Sequence, residues 1–148
     1  MKVEQLNSTH VKVVREMEDN LRALYPARMV IASTLEEIMK CLDSGHSYGV
    51  FIAKRLVAYV LCYEDDYKFS AFIEKTNTLE SYRGKGYNYA LMDKVERSLK
   101  LESISFMVAM VSPFNAGSLA AFKKVGFSEH KKVQYQKEKR VIVTKQLL

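Results

Sequence analysis

The sequence predicts a single α/β domain built on a mixed, mostly antiparallel sheet with flanking helices, and three observations carry that prediction. Hydrophobic residues recur at helical spacing near the N-terminus, change to strand-like runs from Ser47 onward, and return to helical spacing after about Gly86 and again after Asn115. No repeat, low-complexity tract or linker divides residues 1–148, in which two prolines and six glycines are scattered singly. The length of 148 residues and the 48% apolar content suit one globular core.

Residues 2–6 read as a short first strand. Behind Ser8 or Thr9 as cap, Val11, Val14, Met17, Leu21 and Leu24 then recur at helical spacing until Pro26 interrupts. Thr34 and Glu37 make a capping-box pair for a second helix, with Leu35, Ile38 and Leu42 on its apolar face and Gly45 just past its end. Runs at 48–53 and 56–63 are rich in Val, Ile, Tyr and Phe and are separated by the hairpin-length Lys54-Arg55. Asp65-Asp66 turns the chain into a third strand over 69–78, so the three runs predict an antiparallel meander.

A helix over 86–100 presents Tyr87, Leu91, Val95 and Leu99 on one face, with Asp93/Arg97 and Glu96/Lys100 as i,i+4 pairs. Residues 103–111 read as a buried strand. Residues 115–125 read as a short helix capped by Asn115, with Phe114 and Leu119 as a hydrophobic staple and Gly126 at C′. Strands over 127–135 and 140–147 complete the order β-α-α-β-β-β-α-β-α-β-β. A strand, a crossover helix and a strand across 69–111 imply one parallel pair in the sheet.

Composition narrows the function classes. The formal charge is +6, yet 23 basic residues are interleaved with 17 acidic ones except around Lys131-Lys132 and Lys137 to Arg140. That stretch reads as a solvated strand-turn-strand edge whose lysines suppress sheet-to-sheet association, which argues against nucleic acid as the partner. A basic nucleic-acid-binding module on this edge is the alternative; its binding would be steeply salt-dependent. Cys41 and Cys62 share no metal-type spacing with each other or with His10, His46 and His130, so no metal site is expected and both thiols read as packed small hydrophobes in a reducing cytoplasm. His10 and His46, near element ends, read as cap-region or surface histidines. No apolar run approaches the roughly 20 residues of a membrane span, and Met1-Lys2-Val3-Glu4 opens no signal peptide, so a cytoplasmic chain without membrane contact is expected.

The run Arg83-Gly84-Lys85-Gly86-Tyr87-Asn88 stands at a strand-to-helix junction, where first-turn N–H groups have no helical partner and form a nest for anions. Gly84 and Gly86 remove side chains that would hold a diphosphate away, while Arg83 and Lys85 add charge. A plain loop with strain-relieving glycines has the same spelling, because short glycine motifs are common.

A second half-motif follows about thirty residues later: Asn115-Ala-Gly-Ser-Leu-Ala-Ala-Phe-Lys-Lys-Val-Gly-Phe127. Together with residues 81–88 it resembles the paired signatures of the GNAT superfamily of acyl-CoA-dependent N-acyltransferases. Arg83, Gly86 and Asn88 match the first signature. Asn115, Ser118, Phe122, Gly126 and Phe127 match the second, and the element order is similar over nearly the whole chain. The resemblance implies a GNAT-like fold in which the strands ending at Thr78 and Val111 splay apart around an acyl-CoA, with acetyl-CoA the co-substrate. Backbone groups around Thr76, Asn77 and Thr78 would meet the pantetheine arm and thioester. The turn spanning Arg83, Gly84, Lys85, Gly86, Tyr87 and Asn88 would hold the pyrophosphate, and Asn115, Ser118 and Phe122 would lie beside the arm. The implied reaction is direct attack on the thioester by a primary amine of a small molecule or peptide, deprotonated by a base or a water chain, with fixed N–H donors meeting the developing oxyanion.

Two positions depart from the family pattern. Phe122 stands where a tyrosine often protonates the leaving thiolate, and phenylalanine has no proton to give. The acid is then recruited elsewhere, with Tyr135 or Tyr82 as candidates, or the thiolate leaves without one; a non-catalytic acyl-CoA-binding regulatory domain is the rival reading. Asn88 places an amide where the family keeps Gly or Ala. Glu74, four residues before Thr78 and on its face under strict alternation, is the candidate base, against the alternative of a solvated strand glutamate. Met110 occupies a position where N-terminal acetyltransferases often carry a glutamate. Residues 26–29 fall where the family's acceptor groove has a wall, and Arg28 there reads as an acid-binding or a surface arginine. Whether the chain forms a homodimer is left open by the sequence.

Overall fold

A computed structural model describes residues 1–66 and 69–148. In chain order its elements are β1 (Lys2–Gln5), α1 (Val11–Leu24), α2 (Leu35–Asp43), β2 (Tyr48–Ile52), β3 (Arg55–Glu64), β4 (Ser70–Thr78), α3 (Tyr87–Leu101), β5 (Phe106–Val111), α4 (Ala116–Lys124), β6 (Ser128–Tyr135) and β7 (Glu138–Gln146). The order is the one the hydrophobic periods predict. Local chemistry moves several boundaries. Asn7, rather than Ser8 or Thr9, caps the N-terminal turn by accepting from the Thr9 N–H at 3.0 Å, and His10 Nδ1 accepts from the Asn7 N–H at 3.0 Å. Thr34 and Glu37 close the expected reciprocal box on α2, at 2.9 and 3.1 Å. Cys41 joins Ile38 and Leu42 on the buried face of that helix, while Leu35 is 44% exposed. The β2–β3 turn is Ala53-Lys54, one residue earlier than expected, with both φ angles positive as a twisted two-residue hairpin needs.

Seven strands form one sheet in the order β1-β2-β3-β4-β5-β7-β6, antiparallel except for β4 with β5. Both faces are covered near its centre. Leu91, Met92, Val95 and Leu99 of α3, with Phe122 of α4, pack on the face carrying Val60 and Cys62. Val14, Met17, Ile38 and Leu42 from α1 and α2 pack on the face carrying Tyr59 and Leu61. Covering β3 on both sides explains why its sequence is a continuous apolar run and not an alternating one. Beyond these layers β6 is an edge strand, exposed along most of its length, where the lysines at 131 and 132 meet solvent.

One expected side-chain pairing is redirected by tertiary packing. Asp93 and Arg97 pair at 3.0 Å as predicted, whereas Glu96 pairs with Lys145 of β7 in place of Lys100. Phe114 is 55% exposed, with the Arg28 guanidinium 5.7 Å from its ring centroid.

Candidate active site

The parallel pair exists only over its first half. Ser70 to Ile73 of β4 pair with Phe106 to Ala109 of β5, after which β4 continues against β3 alone while Met110 and Val111 pair with β7. Between the diverging strand ends lies a cavity of about 550 Å³. The Leu79 N–H donates to Val57 O at 2.9 Å, so by alternation the backbone groups of Asn77 also face β3, and those of Thr76 and Thr78 face the gap. Asn77 therefore contributes differently from its neighbours. Its side chain lies on the α1 face, where its amide donates to the Tyr59 hydroxyl at 3.0 Å.

At the mouth of the gap the 83–88 turn has the conformation that its glycines permit. Gly84 and Gly86 have φ of +74° and +81°, and Gly86 is the N-cap of α3. Among the described residues, the N–H groups of Gly84 and Gly86 have no backbone acceptor, while residues 83–84 form a tight turn closed at Lys85. Arg83 Nε donates to Thr78 O at 3.1 Å, tying the turn to the end of β4, and the Lys85 ammonium lies 5.6 Å from the Tyr82 ring centroid. Tyr87, Asn88, Asn115, Ser118 and Phe122 line the same cavity. Asn115 caps α4 by accepting from the Ser118 N–H at 3.1 Å, and Phe122 is buried edge-on against Phe127.

Glu74 also lines the cavity, but not on the face expected. Leu61 pairs with Lys75 and Cys62 with Ile73, so Glu74 is the extra residue of a β-bulge and the alternation between it and Thr78 is broken. Its side chain turns to the α2 side of the sheet and hydrogen-bonds Glu37. Burial first, then the hydrogen bond and negative charge of Glu37, push the Glu74 carboxyl up to about 8. Burial raises Glu37 too, but the bonds from Glu74 and Thr34 outweigh it and hold that carboxyl below its usual range. Near pH 7 the pair shares one proton, held by Glu74.

Several cavity residues escaped the motif reading. Leu21 and Tyr25 end α1, and Val30 and Ile31 follow Met29, the one residue of the expected 26–29 wall that lines the cavity; all of them line the same cavity as Glu74. Beneath them Glu18 is 1% exposed, accepts from the Tyr59 hydroxyl at 2.5 Å and lies 3.7 Å from Lys75. A signal for it existed, since Glu18 sits on the apolar stripe of α1 at Val14+4. Tyr135 does not line the cavity: it ends β6 beside the tight Gln136-Lys137 turn, 37% exposed, whereas Tyr82 does line it. His46 is buried rather than superficial, with Nε2 at 2.6 Å from Glu64 and 2.9 Å from Glu102. Both cysteines are free and buried, and burial pushes both thiols well up, so neither is poised as a nucleophile.

A pair of strands that parts beside a helix-start anion nest is what the sequence signatures anticipated, and the comparison with known families agrees. The sequence matches the acetyltransferase (GNAT) family over residues 12–127. The chain belongs to this family. Its activity is accordingly that of an acetyl-CoA-dependent acyltransferase, with acetyl-CoA as co-substrate. Solved structures share the fold at low identity. Ard1 from Thermoplasma volcanium superposes with a TM-score of 0.83 at 15% identity, covering 99% of this chain and 97% of that one. Arabidopsis thaliana Naa50, in complex with the bisubstrate analogue CoA-Ac-MVNAL, gives 0.81 at 14%, covering 97% of each chain. The putative acetyltransferase yncA from Salmonella typhimurium, with its cofactor acetyl-CoA, gives 0.79 at 13%, covering 100% and 94%. A search of curated protein sequences found no match.

The donor set suits the co-substrate of this family. The N–H groups of the turn, with Arg83 and Lys85, are the groups that could hold its diphosphate. The N–H groups of Thr76 and Thr78 that face the gap could meet an amide-bearing arm, and the apolar flank from Phe122 its alkyl stretch. Asn88, the residue that departs from the signature, borders the cavity within the first turn of α3. Among the described residues no helix is long and apolar enough to cross a membrane.

Proposed function

We propose that this protein transfers the acetyl group of acetyl-CoA to a primary amine of a small molecule or peptide by direct attack. The observation that carries the reading is one continuous cavity lined by the 83–88 turn, by Thr76 and Thr78, whose N–H groups face the gap, and by Glu74, which shares a proton with Glu37 behind it. In this reading the turn, with Asn115 and Ser118, holds the nucleotide end and the arm. The N–H groups of Thr76 and Thr78 are the donors available to a carbonyl lying in the gap, fixed in place before the reaction and therefore costing no reorganisation. Glu74 takes the proton from the amine. A carboxyl raised to about 8 is a stronger base than an ordinary glutamate, and its ionised form accumulates as pH rises toward the range where amines also lose protons.

The leaving thiolate needs no acid at Phe122. Its modest basicity lets it depart unprotonated, and of the two tyrosines singled out from the sequence Tyr82 borders the cavity. A peptide acceptor is supported by Naa50, whose bound analogue joins CoA to a peptide, and by a ribosomal-protein-alanine N-acetyltransferase among the structures of the same fold. The deciding experiment is acetyl-CoA turnover with a panel of small amines and short peptides bearing free N-termini. Turnover with at least one amine class, lost in Glu74→Gln, is expected. Tight acetyl-CoA binding with no turnover across the panel would replace the enzyme with a regulator.

A further inference from the structure

The loop between α1 and α2 is irregular, yet three of its carbonyls are fastened by side chains from β4, β7 and the end of β5. Arg140 of β7 donates from Nη1 to Arg28 O at 2.9 Å and from Nη2 to Ala27 O at 2.7 Å. Ser112, at the end of β5, donates its hydroxyl to the same Arg28 carbonyl and accepts from the Phe114 N–H at 3.1 Å. Lys75 of β4 donates to Ile31 O. Arg140 is 1% exposed, the largest fully buried side chain among the described residues. Burying a guanidinium is costly, and here both terminal nitrogens are directed at main-chain oxygens of one loop.

The clamped carbonyls at 27, 28 and 31 bracket Met29, Val30 and Ile31, which line the same cavity as Glu74. We propose that Arg140 is a positioning residue for the acyl acceptor: with Ser112 and Lys75 it sets the distance between these residues and Glu74, and so the fit of the amine. The proposal rests on the proposed function, with the acceptor amine meeting Glu74 in the cavity that this loop lines. Arg140 touches neither the cavity nor the 83–88 turn. Its loss should therefore act on the amine and spare the acyl donor.

The test compares the full-length wild type with Arg140→Gln and Arg140→Lys, measuring KM for amine and for acetyl-CoA, kcat, acetyl-CoA affinity by calorimetry, and amide hydrogen exchange across 27–32. Arg140→Gln is expected to raise the amine KM about tenfold, with the acetyl-CoA KM within about twofold, because a small misplacement of a positioning element is felt by the group it orients. Exchange at 29–31 should quicken, and Arg140→Lys, which keeps a donor, should recover part of both effects. Parallel shifts in both KM values, or a lower melting temperature with neither KM nor exchange changed, would overturn the proposal. If Arg140→Gln does not fold, Ser112→Ala removes one donor from the Arg28 carbonyl and should show the same pattern in smaller measure. If the wild type acetylates no amine, the proposed function fails, while exchange at 29–31 in the variants still decides whether the clamp exists.

Discussion

One side of the cavity is lined from a single stretch of sequence, Thr76 to Asn88, together with the start of α4, whereas the remaining lining comes from Leu21 of α1, Tyr25 and Met29 to Ile31 after it, and Glu74 of β4, backed by side chains of α2 and β7 that lie outside the cavity. The first needs only a strand end, two glycines in the left-handed region and a helix start. The second needs a bulge that turns Glu74 toward Glu37 and a buried arginine that holds a loop. In the proposed function backbone donors meet a diphosphate and an amide arm, which are constant, and side chains meet an acceptor, which varies among proteins that share a fold.

That division can be broken most sharply at Glu74. Replacing it with Gln keeps a hydrogen bond to Glu37 but removes the base, and kcat/KM should fall about a hundredfold or more while acetyl-CoA affinity is unchanged. In the wild type, kcat/KM for amine should rise with pH through about 8, the value to which burial and Glu37 push this carboxyl, and the variant should lose that limb. Stability runs the other way. The folded chain holds the Glu74 proton between the ordinary 4.5 and about 8, where the unfolded chain has released it, so unfolding free energy should fall as pH rises through that window and flatten in the variant. A variant with undiminished turnover would move the base elsewhere.

Gly86→Val probes the donor side. At φ +81° a β-branched residue costs about 1–2 kcal/mol and tilts the N–H groups of the nest, so acetyl-CoA affinity should weaken about tenfold. Hydrogen exchange over 27–32 should stay as in the wild type; a coupled change would show that the two halves are one device. The smallest functional effect is expected from Tyr59→Phe. It removes the hydroxyl that donates to Glu18 and accepts from Asn77, which should lower stability by about 1–3 kcal/mol in a denaturant titration. Acetyl-CoA affinity should hold, since the Asn77 side chain faces α1. A loss of affinity in this variant would return Asn77 to the donor side.

The legible features were the local ones. Thr34 and Glu37 cap a helix three residues apart, Gly84 and Gly86 punctuate a turn, and Asn115 caps the helix it precedes; each acts within a turn or two of its own position. The features that escaped were set by contacts between distant residues. Strict alternation put Glu74 beside Thr78, but one unpaired residue reverses a face, and nothing in the spelling of 70–78 announces the bulge. Glu96 was matched to Lys100 because both lie on α3, until β7 brought Lys145 closer. His46 looked superficial because its cover comes from Ser98 and Glu102, more than fifty residues on. Arg140, one more cation in a basic stretch, was indistinguishable from its exposed neighbours.

From sequence alone came the element order, the parallel pair, the glycine turn at 83–88 and, through two spaced signatures, the acyl-CoA donor, because helix periods, caps and glycine turns are short-range consequences of residue type. The tertiary structure alone decided which way Glu74 points, what shares its proton, and how the 26–33 loop is held against it. Those depend on register and on which side chains meet across the sheet, and such meetings become definite only when the strands have paired.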